Sequence, residues 1–246
     1  MSLVNPRLSV SSVNATLTQN SRVRIPDFLT QDFALNLYHS MLHATPWELA
    51  YFDQIEQRPQ KLSPAEYQRT KQNWNSFLAE RVYPKQANLK QANPNQDSYA
   101  FIYESYMVVT AYLEGRDRGH PLHGFLEFLN HPATLELFRK LTGEDAIRKI
   151  DAQATLYRGG HFLKKHNDAD SGTGRLFAYV LNLSPNWSAD NGGLLHFVEE
   201  GAVTETFIPA FNTLNIFRVP QDHFVSPVAP FCADGRYSIT GWMYSK

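Results

Sequence analysis

His166 and Asp168 stand two apart in the run KKHND. Side chains at i and i+2 of a strand point to the same side, so a strand here aims an imidazole and a carboxylate at one point. His223, at the head of HFVSPV, is the candidate third ligand. Two imidazoles and one carboxylate on one face leave three adjacent coordination positions open, a ligand set suited to non-haem iron(II) oxygen chemistry. The open positions matter because a bidentate co-substrate and dioxygen must bind side by side. His-x-Asp alone is a common chance pairing; its weight comes from His223 and from an arginine further on.

That arginine opens RYSITGW. By a period of two, Arg236, Ser238, Thr240 and Trp242 share a face. A guanidinium on an inward face is costly unless an anion meets it. The distal carboxylate of a dicarboxylic acid suits it, gripped through two parallel hydrogen bonds; a structural ion pair with Asp or Glu is the alternative. Tyr179 in RLFAYVLNL shares a face with Phe177 and Leu181, and its hydroxyl is a candidate donor to the same carboxylate. Tyr157, ahead of His166, is a candidate contact for co-substrate or substrate. Strand aromatics are more often core than ligand contacts, so both depend on the company they keep.

The other histidines are weaker candidates. His39 and His43 sit four apart on an expected helix with no third partner. His120, His123 and His131 lie around prolines and read as structural or exposed. His161 is expected to turn away from the metal face, and His196 to point opposite Leu195 and Phe197.

The elements that position these residues fall into two halves. The first twenty residues, rich in Ser, Asn and Thr, read as loose. RVRIPDFL reads as a strand ending at Pro26, and Thr30 as the cap of a helix to about Ala44. Ser63, Pro64 and Glu66 form a capping-box pattern that opens a helix toward Arg81. The polar stretch Pro84 to Ser98 reads as a loop. Tyr99 to Leu113 is apolar enough for strand or helix, and two short helices open at Pro121 and Pro132. From Asp151 the chain becomes eight short strands separated by turn signals such as RGG, SGTG and ADG, the spacing of a sandwich or barrel. The expected fold class is α+β. A double-stranded β-helix (jelly-roll, cupin-like) core over residues 151–246 is supported by a mostly helical region over 21–150, in a single domain.

The chain has 246 residues, 43% apolar and 19% charged, with a formal net charge of -1, which suffices for a sizeable core. No basic excess marks a nucleic-acid partner, and no apolar run reaches the roughly 18–20 residues of a membrane span. Met1 to Thr18 lacks the features of a secretory signal. One cysteine, Cys232, rules out an internal disulfide and fits a reducing, cytoplasmic setting.

Taken in order, Tyr157-x-Gly-Gly-x-Phe162, His166-x-Asp168, AYVLNLSPNW, NGGLLHF, PAFNTLNIF, His223-x-Val225 and RYSITGW resemble the 2-oxoglutarate and iron(II)-dependent dioxygenases. Within them the chain is most similar to the prolyl hydroxylase-type branch, in particular the catalytic domain of ribosomal-protein prolyl hydroxylases. The resemblance covers roughly the last 95 residues. It implies iron held by His166, Asp168 and His223. It implies 2-oxoglutarate paired with Arg236, hydrogen-bonded by Tyr179 and contacted by Tyr157 and Thr240, and a substrate pocket walled by Leu195, Val225 and Trp242. It also implies dioxygen as co-substrate, with ascorbate supporting activity, and hydroxylation of an unactivated C–H bond as 2-oxoglutarate becomes succinate and carbon dioxide. The substrate would be a prolyl residue of a protein, or alternatively a free amino acid or small metabolite. A second, degenerate β-helix accompanies the eukaryotic ribosomal enzymes and is not expected after Tyr244. A nucleic-acid demethylase should carry a second arginine in the last strand and a basic groove, whereas here Trp242 ends the motif and the net charge is near zero. A zinc hydrolase offers no role for Arg236, and a non-catalytic jelly-roll binding protein should have lost a ligand.

Overall fold

The structure is a computed structural model, described over residues 3–83, 99–169 and 172–246. The expected loop at Pro84 to Ser98 lies outside the described residues.

Among the described residues the N-terminal half contributes five strands as well as helices. In order come α1 (Val10–Asn20), β1 (Arg22–Ile25), α2 (Gln31–His43), β2 (Glu48–Asp53), β3 (Arg58–Leu62) and α3 (Pro64–Thr70). Short helical pieces follow, including α4 (Trp74–Phe77), then β4 (Phe101–Tyr106), α5 (Val108–Leu113), α6 (Pro121–Asn130), α7 (Pro132–Thr142) and β5 (Lys149–Ile150). The C-terminal half holds β6 (Gln153–Tyr157), β7 (Phe162–His166), β8 (Arg175–Asn182), β9 (Leu195–Glu199), β10 (Ala202–Phe207), β11 (Thr213–Arg218), β12 (His223–Val225) and β13 (Arg236–Tyr244).

Side-chain caps open three of the seven α-helices among the described residues. The Ser63 hydroxyl accepts from the Glu66 amide while the Glu66 carboxylate accepts from the Ser63 amide, with Pro64 at the first helical position. His120 and His131 each cap a helix through Nδ1, ahead of Pro121 and Pro132. These two histidines are structural, as their setting implied.

The strands form a continuous sheet in the order β1-β11-β8-β13-β6-β4-β7-β12-β9-β10, with β2 and β3 added beside β4 and β5 beside β13. Every strand pairing among the described residues is antiparallel. The sheet curls into the expected jelly-roll, so β6, β8 and β13 face β7, β9 and β12 across a cavity. Period-two alternation sends each strand's side chains to two different cores. On β8, Phe177, Tyr179 and Leu181 join Leu37, Phe125 and Phe138 of the helices. Ala178 and Val180 join Leu195, Phe197 and Val225 on the cavity side.

Three expectations are corrected here. Residues 1–20 are not loose throughout: Val10–Asn20 is helical, with Val13 and Leu17 buried. Its few apolar residues recur at helical spacing among Ser, Asn and Thr, and burial against the body of the molecule outweighs their poor helix propensity. The 21–150 region is less helical than expected, because RPQKL, polar and carrying Pro59, conceals strand β3 against β2. Nor is the β-core confined to 151–246. Strand β4 pairs with both β6 and β7, so Tyr99–Leu113 is strand and helix in succession. Among the described residues, no helix is long and apolar enough to cross a membrane.

Candidate active site

Strands β7 and β12 lie antiparallel with His166 opposite His223. Their rings stand 4.2 Å apart. Asp168 completes the group, but not as a strand residue. Strand β7 ends at His166, and Asp168 takes a left-handed conformation at φ 56°. The Asn167 carboxamide oxygen accepts from the Ala169 amide, and the Asn167 carbonyl accepts from the Gln221 amide. The turn, tied to the segment before His223, aims the carboxylate back at the two rings. The expected same-face relation of His166 and Asp168 is thus met by a turn instead of a pleat.

Asp168 Oδ1 lies 3.5 Å from His166 Nε2 and Oδ2 lies 3.6 Å from His223 Nε2. One donor atom from each of the three residues falls within 4.8 Å of the others. Adjacent ligands of a six-coordinate ion are about 3 Å apart, so a small contraction would seat one. The second ring nitrogens are already engaged: His166 Nδ1–H donates to the Lys164 carbonyl at 3.0 Å and His223 Nδ1–H to the Gln221 carbonyl at 2.8 Å. Those bonds select the tautomer with a lone pair on Nε2 toward Asp168, the outer-sphere pattern of metal-binding histidines. Burial, then the neighbouring His166 ring, pushes the His223 pKa down to about 4, so its Nε2 lone pair is free at neutral pH.

The cavity beyond this group has a volume of about 140 Å³, room for several waters or one small metabolite. Arg236 lies on its wall. It is 2% exposed, burial lowers its pKa, and an arginine stays protonated regardless. Among the described residues no carboxylate pairs with it, and its Nε has no hydrogen-bond partner. The structural ion pair considered as an alternative is absent from the described residues. The guanidinium carbon lies 5.1 Å from the centre of the Tyr157 ring.

Tyr157, Thr240, Leu195, Val225 and Trp242 all border the cavity. Tyr179 borders it too, yet its hydroxyl donates to the Asp151 carbonyl at 2.8 Å, and its ring belongs to the helix-side core. The expected hydrogen bond from Tyr179 to the co-substrate carboxylate is therefore corrected. Strand alternation turns Val180, one residue on, toward the cavity. His161 is buried away from the metal group, and His196 stacks on Phe224 opposite Leu195 and Phe197. His39 and His43 stack on each other at the surface.

Sequence reasoning named no individual residue of the Tyr99–Leu113 segment as part of the site. Tyr99 and Tyr103 border the cavity from the β4 segment, and the Tyr99 ring lies 5.9 Å from that of His166. The only signal was the density of aromatics in YAFIYESY.

With the donor set and the lone guanidinium in place, the comparisons with known proteins become informative. Residues 152–244 match the model of the 2OG-Fe(II) oxygenase superfamily. That match takes in His166, Asp168, His223 and Arg236. The chain is 26% identical over 182 residues to the prolyl 3-hydroxylase OGFOD1 of Xenopus laevis, covering 69% of this chain and 33% of that protein. The mouse protein of the same name is 32% identical over 113 residues, covering 43% of this chain and 20% of its own length. The chain thus spans a third or less of these curated relatives. Among solved structures, a prolyl hydroxylase of Trichoplax adhaerens, in complex with a hypoxia inducible factor peptide fragment, superposes with a TM-score of 0.58 at 18% identity. That match covers 96% of this chain and 89% of the other. A prolyl-4-hydroxylase of Pseudomonas putida gives 0.56 at 17%, covering 97% and 100%. At such identities the likeness is one of fold, and it is the jelly-roll fold described above.

Proposed function

We propose that this chain is an iron(II)- and 2-oxoglutarate-dependent hydroxylase acting on a prolyl residue of a peptide or protein. The observation that carries the co-substrate is Arg236. A fully buried cation with no acid partner among the described residues, on the wall of a cavity that also holds a two-histidine, one-carboxylate group, calls for an anionic ligand. A dicarboxylate long enough to reach both supplies it.

In this reading His166, Asp168 and His223 hold iron(II), and the carbonyls of Lys164 and Gln221 keep both imidazoles in the ligating tautomer. Arg236 binds the distal carboxylate of 2-oxoglutarate, and the Thr240 hydroxyl lies on the same wall. Tyr157 packs against the guanidinium. Leu195, Val225 and Trp242 give apolar walls that keep water from the reacting centre. With dioxygen, the bound metal and 2-oxoglutarate supply the oxidation that inserts one oxygen into a C–H bond while releasing succinate and carbon dioxide. No further acid or base is needed from the chain. Ascorbate is expected to support turnover.

Support for a prolyl substrate comes from the prolyl hydroxylases on both sides of the comparisons. The entrance supports it as well. Tyr99 packs beside Phe52 and Phe101 next to His166, a flat apolar surface for a substrate ring. The single cysteine and ordinary charge fit a cytoplasmic enzyme.

The test is succinate formation from 2-oxoglutarate under air with iron(II) and ascorbate, followed by mass spectrometry of proline-containing peptides for a gain of roughly 16 Da, one oxygen atom. A peptide gaining that mass at proline supports the reading. A gain confined to a free amino acid or metabolite moves the substrate class, and absence of both turnover and 2-oxoglutarate binding removes the enzyme reading.

A further inference from the structure

The cross-strand row through Arg236 extends into the N-terminal half. On β13 and β6, Arg236 stands opposite Tyr157. On β6 and β4, Leu156 stands opposite Glu104 and Thr155 opposite Ser105, so one residue further along Tyr103 comes opposite Tyr157. The Tyr103 and Tyr157 rings stack at 5.0 Å with 21° between their planes. Tyr157 therefore has the guanidinium on one flank and the Tyr103 ring on the other.

We propose that Tyr103 is a positioning residue for Arg236, acting through the Tyr157 ring with which it stacks. The proposal rests on the reading of Arg236 as the dicarboxylate anchor. Arg236 is long and flexible, and among the described residues nothing acidic holds it. Its head is restrained by the face of Tyr157, an attraction that strengthens when desolvated. Its stem is restrained by Gly193: a Cβ added there would come within 2.9 Å of the Arg236 Cδ and 3.1 Å of Val228 Cγ2, at a backbone φ of +63°. The Tyr157 ring in turn needs a backing, and Tyr103 provides it. The Gln153 side chain lies by the Tyr103 hydroxyl. A guanidinium held in place before the ligand arrives loses less freedom on binding, and that difference appears as affinity.

Tyr103→Leu removes the ring and keeps an apolar filler; Tyr103→Phe keeps the ring and loses only the hydroxyl. The probes are Mn(II) alone, then 2-oxoglutarate titrated calorimetrically into the Mn(II)-loaded protein. The expectation for Tyr103→Leu is about ten-fold weaker 2-oxoglutarate and unchanged Mn(II) affinity, with KM for 2-oxoglutarate raised and kcat held. Tyr103→Phe should bind 2-oxoglutarate within about two-fold of the parent, since stacking is retained. Equal 2-oxoglutarate affinity in Tyr103→Leu and the parent overturns the proposal, as does parallel loss of Mn(II) and 2-oxoglutarate in both variants. If the Mn(II)-loaded parent binds no 2-oxoglutarate, the co-substrate reading fails. The stack is then judged by a thermal double-mutant cycle of Tyr103→Leu with Arg236→Met. Coupling between the two supports the positioning link, and strict additivity overturns it.

Discussion

At one end of the cavity three ligand groups converge, with both imidazole lone pairs turned toward the carboxylate; at the other, a single guanidinium has no acid partner among the described residues. His166, Asp168 and His223 come from two paired strands and the turn between β7 and β8, and each imidazole has its second nitrogen bonded to a carbonyl. Arg236 has an aromatic face beside it and no carboxylate among the described residues. The first end resembles a site already shaped around its occupant. The second stores the cost of burying a charge, and a ligand's carboxylate relieves it.

The contrast is broken most completely at the metal end. Asp168→Ala should lower Mn(II) or Fe(II) affinity by at least about 100-fold and abolish succinate formation, measured by calorimetry and turnover. The fold should persist, because Asp168 sits in a turn outside the strands. At the other end, Arg236→Met should weaken 2-oxoglutarate by about 100-fold, the worth of a charge-assisted bidentate contact, with metal affinity retained. The same variant should raise the apo protein's unfolding free energy by about 1–2 kcal/mol, since an unpaired buried charge disappears; denaturant unfolding measures it. A destabilised Arg236→Met protein would mean that the guanidinium is a structural strut.

A pH effect separates both ends from the scaffold. Burial pushes the His161 pKa down to about 4, below the unfolded value near 6.5. The unfolded chain then binds more protons between those values, so stability falls as pH drops from about 6.5 toward 4. The loss approaches roughly 3 kcal/mol at pH 4 and below. His161→Gln should flatten that part of the pH–stability profile and leave Mn(II) affinity at pH 7 unchanged. The smallest effect belongs to Tyr179→Phe. It should cost about 1 kcal/mol of stability through the lost bond to the Asp151 carbonyl, with no change in KM for 2-oxoglutarate. A raised KM would restore Tyr179 to the co-substrate site.

The metal end was readable because its residues declare themselves by type: His, Asp and His are costly to bring together without a reason, and strand spacing already hints at convergence. Arg236 was readable for the same reason, as a charge on an otherwise apolar face. Tyr179 was misread because AYV offers two neighbouring residues, and strand parity, with a conspicuous hydroxyl at one and a plain valine at the other, decides which meets the cavity. Tyr99 and Tyr103 could not be singled out within the Tyr99–Leu113 segment, since their place depends on β4 slotting between β6 and β7, a pairing over some fifty residues that local pattern does not encode. α1 was hidden by its polar composition, and β3 by Pro59.

The central claim is that the two ends act on one ligand. Titrating 2-oxoglutarate into the parent protein with and without Mn(II), and into Arg236→Met with Mn(II), tests it directly. Strong binding is expected only when metal and guanidinium are both present. Binding that is indifferent to the metal, or to Arg236, would contradict it.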